Sequence, residues 1–162
     1  MSTRQMSRRR GAISVAAVAM LGLGAACSDD DGEGSTGAAG GEAGTVDVTL
    51  QEFAVIPSSS SAPAGDVTFN VTNEGPDDVH EFVVFRSDLA PDALPTAEDG
   101  SVDETGEGVE LQDEIEDIAV GDTQSVTIDL AAGDYVLICN IYDEAEQEAH
   151  YQEGMRVAFT VE

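Results

Sequence analysis

The sequence predicts an all-β domain, a sandwich or barrel, over residues 45–162. Three observations predict it. Apolar and polar residues alternate with period two in at least five separate segments. Turn-forming clusters fall between those segments, as in Pro63-Ala64-Gly65-Asp66 and Ala132-Gly133-Asp134. No stretch of the domain carries a long apolar repeat of period 3.6.

Residues 1–26 come first and are unlike the rest. Four of the six basic residues, all arginine, lie in the first ten positions, and no acidic residue occurs before Asp29. Arg8-Arg9-Arg10 forms a basic head, followed by a small and apolar run over 11–26. Sixteen residues fall short of the about 20 that a spanning helix needs, so the run reads as a cleaved export signal. Leu23-Gly24-Ala25-Ala26-Cys27 resembles a bacterial lipoprotein processing site, with Gly24 where the pattern usually has a Leu-like residue. That resemblance implies lipidation at Cys27 and anchoring on the extracytoplasmic face of the cell membrane. Ser7-Arg8-Arg9-Arg10 leaves both the general secretory and the twin-arginine routes open.

Residues 27–44 hold Ser, Asp, Gly, Glu, Thr and Ala after the cysteine and have nothing to build a core from. As a flexible tether they span roughly 23 Å. Beyond residue 26 the chain carries all 33 acidic residues against only Arg86 and Arg156. Such a surface repels nucleic acid, which excludes that partner class. It repels anionic headgroups as well, leaving a lipid anchor as the only hold on a membrane.

The strands follow in order. Val46, Val48 and Leu50 alternate with polar residues, as do Val67, Phe69 and Val71. Glu81–Arg86 contains Phe82-Val83-Val84-Phe85, apolar enough for a central strand. Residues 87–108 hold two prolines, three glycines and seven acids, and are expected to form a long exposed, mobile excursion. Residues 109–120 return as an irregular strand. Val126, Ile128 and Leu130 share a face, then Tyr135, Leu137 and Cys139, then Met155, Val157, Phe159 and Val161. A short helical turn is expected within 140–150.

The chain has two histidines, and both fall at strand ends: His80 before Glu81–Arg86 and His150 before the last strand. Cys139 ends its strand, and Met155 opens the next. Each has an ordinary explanation taken alone, as a core thiol, a core thioether or hydrogen-bonded imidazoles. Together they are a ligand set. Cys139 is a single exported thiol once Cys27 is lipidated, and metal ligation would protect it. Two imidazoles, a thiolate and a weak thioether suit a type 1 copper site, whereas structural zinc sites use more thiolates and no methionine.

The segment Asn73-Glu74-Gly75-Pro76-Asp77-Asp78-Val79-His80-Glu81, with Tyr135-Val136-Leu137-Ile138-Cys139 and His150-Tyr151-Gln152-Glu153-Gly154-Met155, resembles the blue copper proteins of plastocyanin type, the cupredoxins. The resemblance covers about residues 45–162. It implies a Greek-key β-sandwich of about seven or eight strands, with one copper held by His80, Cys139, His150 and Met155 near one end. It implies electron transfer, with His150 as the more exposed ligand. Two departures stand out. Ten residues separate Cys139 from His150, a longer loop than usual, and Glu81 follows the first histidine where plastocyanins often have Asn. Asp143, Glu144, Glu146, Glu148 and Glu153 surround His150 in sequence, so a redox partner with a basic docking face is expected. A surface copper carrier or storage protein, and a metal-free adhesion or stalk domain, are the alternatives. Catalysis is not expected, because oxidases and reductases of this class need further histidines and the chain has none.

Overall fold

The computed structural model describes residues 44–162. The signal, the tether up to residue 43 and Cys27 lie outside the described residues. In chain order the elements are β1 (Gly44–Gln51), β2 (Ala54–Pro57), β3 (Ser61–Ala62), β4 (Gly65–Asn73), β5 (His80–Arg86), β6 (Glu110–Ile118), β7 (Thr123–Leu130), β8 (Gly133–Ile138), β9 (Tyr142–Asp143), β10 (Glu148–Ala149), α1 (His150–Glu153) and β11 (Arg156–Val161). Eight of these strands have four residues or more. Every segment read as a strand from its alternation is one.

The strands form two layers. One sheet runs β2-β1-β4-β7 and the other β3-β11-β8-β5-β6. The chain passes from the first sheet to the second between β4 and β5, returns at β7, and crosses again to β8, which is Greek-key connectivity. Period-two alternation turns Val48, Leu50, Phe69 and Val71 of the first sheet toward Phe82, Val84, Leu137 and Phe159 of the second, and all are buried in one cluster. Burying each such side chain contributes about 1.5–3 kcal/mol.

The second sheet is apolar on both faces. Val83 and Phe85 of β5 and Val136 and Ile138 of β8 point away from the sandwich interior and are nevertheless buried. Their cover corrects the expectation for residues 87–108. That segment is not simply an exposed loop: Leu94 and Val102 are buried against the outward face, together with Tyr151. Polar contacts tie it down. The Tyr151 hydroxyl accepts from the Leu94 N–H at 3.2 Å and donates to the Pro91 carbonyl at 2.7 Å. The Asn140 side chain accepts from the Val102 N–H at 2.5 Å and donates back to the Val102 carbonyl at 3.1 Å. Six of the segment's seven acids face solvent, the half-buried Glu104 accepts from the Asn140 side chain at 3.1 Å, and Leu94 and Val102 close the sheet.

Within residues 109–120, Glu110–Ile118 form the strand β6, paired with β5 along most of its length. Its register shifts between His80 and Phe82, where an extra residue is accommodated and Asp117 takes φ 52°. The expected helical turn within 140–150 is also corrected. Residues 142–149 form a small hairpin, β9 with β10, and the helical turn starts only at His150. The Asp143 carboxylate accepts from the N–H groups of Ala145 and Glu146 at 2.6 and 3.1 Å, which starts a turn and not a helix.

Candidate metal centre

Strand alternation delivers the first two groups. His80 is in phase with Phe82 and Val84, and Cys139 with Tyr135 and Leu137, so both face the sandwich interior. β5 and β8 are antiparallel neighbours, which brings the start of one beside the end of the other. The Glu81 N–H then reaches the Cys139 Sγ at 3.4 Å, and the Glu81 carboxylate, on the opposite face, accepts from the Asn140 N–H at 2.9 Å. Glu81 thus braces the two strands, pointing away from the cluster as alternation requires.

The segment before His80 is held by a buried asparagine. Asn73 donates to the carbonyls of Asp78 and Ile118, both at 2.8 Å, and accepts from the Gly75 N–H at 2.8 Å. Gly75 has φ +63°, and a Cβ there would lie 2.8 Å from a Val120 methyl, so the turn needs glycine.

His150 arrives by a different route. Its N–H donates to the Ile141 carbonyl at 2.9 Å, and its carbonyl accepts from the Met155 N–H at 3.0 Å. Its ring meets the edge of Phe53 at 5.2 Å and that of His80 at 5.0 Å. The ten-residue loop therefore folds back and returns the imidazole to the cysteine.

The result is a three-member cluster. The ligand atoms of His80, Cys139 and His150 lie within 4.8 Å of one another. The two Nδ1 atoms are 3.2 Å apart, and Sγ is 3.4 Å from that of His150 and 3.8 Å from that of His80. A trigonal ion with nitrogen and sulfur ligands at zinc-like distances would need separations of about 3.5–3.8 Å. The cluster is within a few tenths of an ångström of that. His80 and Cys139 are 0 % exposed and His150 is 2 %. Met155 is buried in the same core, its carbonyl accepting the Cys139 N–H at 3.1 Å.

The electrostatics suit a cation. Burial lowers the pKa of both imidazoles, the neighbouring His150 adding to the effect on His80, so both are neutral donors. Burial pushes the Cys139 thiol up to about 12. The three groups are uncharged until an ion draws the thiol proton off. Burial likewise raises Glu81 to about 7. For Glu52 burial acts upward, but N–H donation from Asp78, from its own backbone and from Asp77 outweighs it and lowers its pKa.

His150 lines a cavity of about 530 Å³ with Asp77, Asp78, Val79, Asp117, Ile141 and Asp143. Of the acids expected around His150, Asp143 is in this wall, while Glu144, Glu146 and Glu153 are exposed on the surface. Asp77 and Asp78 join it from the loop before β5 and Asp117 from the end of β6, which sequence proximity to His150 did not reveal. Tyr151, Asn140 and Glu52 were also missed as site residues. Each is a polar residue beside a ligand or a turn, a weak signal in one sequence.

Scanned against models of protein families, the chain matches none, and a search of curated proteins finds no match. Solved structures do match. Dithionite-reduced auracyanin from the photosynthetic bacterium Roseiflexus castenholzii aligns with TM-score 0.51 and 20 % identity, over 73 % of this chain and 96 % of that one. Reduced rusticyanin aligns with TM-score 0.51 and 18 % identity, over 75 % of this chain and 81 % of that one. Auracyanin A, a "blue" copper protein from the green thermophilic photosynthetic bacterium Chloroflexus aurantiacus, aligns with TM-score 0.43 and 17 % identity, over 75 % of this chain and 100 % of that one. The likeness to the first two establishes the fold, a cupredoxin-like β-sandwich. The donor set, not the likeness, argues for the metal: neutral imidazoles with one cysteine in a dry, near-trigonal cluster fit one copper ion.

Proposed function

We propose that this chain is a one-electron carrier with a single type 1 copper site, in which His80, Cys139 and His150 are the strong ligands and Met155 the weak axial one. The observation that carries the reading is the buried His-Cys-His cluster, brought together from sequence positions 80, 139 and 150. Copper, when bound, supplies the Cu(II)/Cu(I) couple. The protein's residues do the rest. Paired strands fix His80 and Cys139, which limits rearrangement between oxidation states. The Glu81 N–H donates to the sulfur and stabilises thiolate. The apolar core around Cys139 and Met155 excludes water.

The electron port in this reading is the His150 side, where the cavity reaches a ligand. Its four aspartates favour a partner with a basic docking face and disfavour nucleic acid. The amino-terminal pattern supports export and lipid anchoring at Cys27, with the acidic tether lifting the domain off the membrane. No helix among the described residues is long and apolar enough to cross a membrane. The site offers no further histidine for catalytic copper, which supports a carrier over an enzyme. The long loop between Cys139 and His150 is closed by a hairpin next to a buried imidazole, which suits a retained ion better than a copper carrier that releases it.

Protein-film voltammetry tests the reading. A reversible one-electron couple is expected, with copper retained in both states against a chelator. Electron exchange with a basic partner protein should slow as salt rises. Loss of copper from either state on cycling would favour the delivery role.

A further inference from the structure

The turn between β1 and β2 holds two residues, Glu52 and Phe53, and each meets a different histidine. Phe53 packs on the ring of His150. Glu52 Oε1 lies 3.5 Å from His80 Nε2. The carboxylate is itself held, because Oε1 accepts from the N–H of Asp78 at 2.7 Å and of Asp77 at 3.2 Å. His80 Nε2 and Glu52 Oε2 are both buried, and neither has a hydrogen-bond partner among the described residues. His80 Nδ1 faces Cys139 and His150, so a ligating His80 carries its proton on Nε2. A buried N–H there needs an acceptor, and the nearest carboxylate has an unclaimed oxygen.

We infer that Glu52 is a positioning residue of this site: its carboxylate receives the His80 Nε2–H, fixes the ring with Nδ1 inward, and by its negative charge favours the oxidised ion. The charge effect rests on the copper reading above, whereas the positioning role does not. A carboxylate behind a ligating imidazole orients it and raises its basicity. It also lies in a partly desolvated setting, where a unit charge acts more strongly than in water.

The test uses the full chain with Glu52→Gln and Glu52→Ala. Gln keeps one acceptor oxygen, which at the Oε1 position lies 3.5 Å from His80 Nε2, and carries no charge. Nitrogen-15 NMR of the metal-free protein reads the His80 tautomer. The inference expects Nε2–H in the wild type and in Glu52→Gln, and a mixture in Glu52→Ala. An Nδ1–H tautomer in the wild type, or an unchanged tautomer in Glu52→Ala, overturns the positioning role. With copper, Glu52→Gln should shift the Cu(II)-to-Cu(I) affinity ratio about tenfold toward Cu(I), a rise of about 59 mV in potential. An unchanged potential with an intact charge-transfer band overturns the charge effect. A wild type lacking that band overturns the copper reading and the charge effect together, and the tautomer experiment still decides the positioning role. If Glu52→Ala does not fold, Glu52→Gln carries both readouts: it should match the wild-type tautomer and differ in potential.

Discussion

His80 opens β5 and Cys139 directly follows β8, its neighbour in the same sheet, whereas His150 stands between a hairpin and a single helical turn. In the first half, register and alternation place the two side chains, and the same backbone pairing that builds the sandwich builds this side of the cluster. In the second half, placement depends on particular contacts: the Asp143 turn, the Ile141 carbonyl, the Phe53 edge and the Met155 N–H. The difference also shows in access. Both imidazoles are buried, but His150 alone of the cluster borders the acidic cavity. A cluster assembled this way has one side set by sheet register and the other, at the cavity, set by loop contacts.

The largest expected effect sharpens that contrast. His80→Gly and His150→Gly should each abolish the blue charge-transfer band. Millimolar imidazole should restore it in His150→Gly, entering through the cavity of about 530 Å³, and fail to restore it in His80→Gly. Visible titrations check this, and equal rescue of both variants would break the contrast.

The cover over the second sheet is the next test. Leu94→Ala should cost about 2–5 kcal/mol by urea unfolding, because Leu94 is 5 % exposed against Val83, Phe85 and Ile138. Leu111→Ala, at a residue 39 % exposed on β6, should cost well under half as much. Equal small costs would mean that residues 87–108 do not close the sheet.

A smaller effect lies at Glu81. Its carboxyl is raised to about 7, so the folded metal-free protein binds this proton more tightly than the unfolded chain. The stability it contributes is full below the ordinary glutamate range and is lost as pH rises through about 7. Unfolding at pH 5 and 7.5 should show the decline, and Glu81→Gln should flatten it by up to about one proton's worth of slope.

These contrasts also mark what one sequence discloses. Period-two alternation named β1, β4, β7, β8 and β11, whereas the run Phe82-Val83-Val84-Phe85, apolar on both faces, marked β5 as central. The inward placement of His80 and Cys139 followed directly from their phase. The loop-held half was legible in composition and not in conformation. Asp143 and Gln147, the latter at φ 56°, turn the chain into a hairpin where acids and alanines read as helix. Leu94 and Val102 were hidden among seven acids, and their burial depends on a sheet face that only the fold supplies. Glu52 sits in a turn and gains its meaning from His80, a partner 28 positions along the chain.

The most direct measurement is the visible and electron paramagnetic resonance spectrum of the full chain loaded with Cu(II), beside Cys139→Ser. The account predicts an intense blue or green charge-transfer band with narrow copper hyperfine splitting, absent from the variant. A pale spectrum with ordinary splitting, or a spectrum indifferent to Cys139, would contradict it.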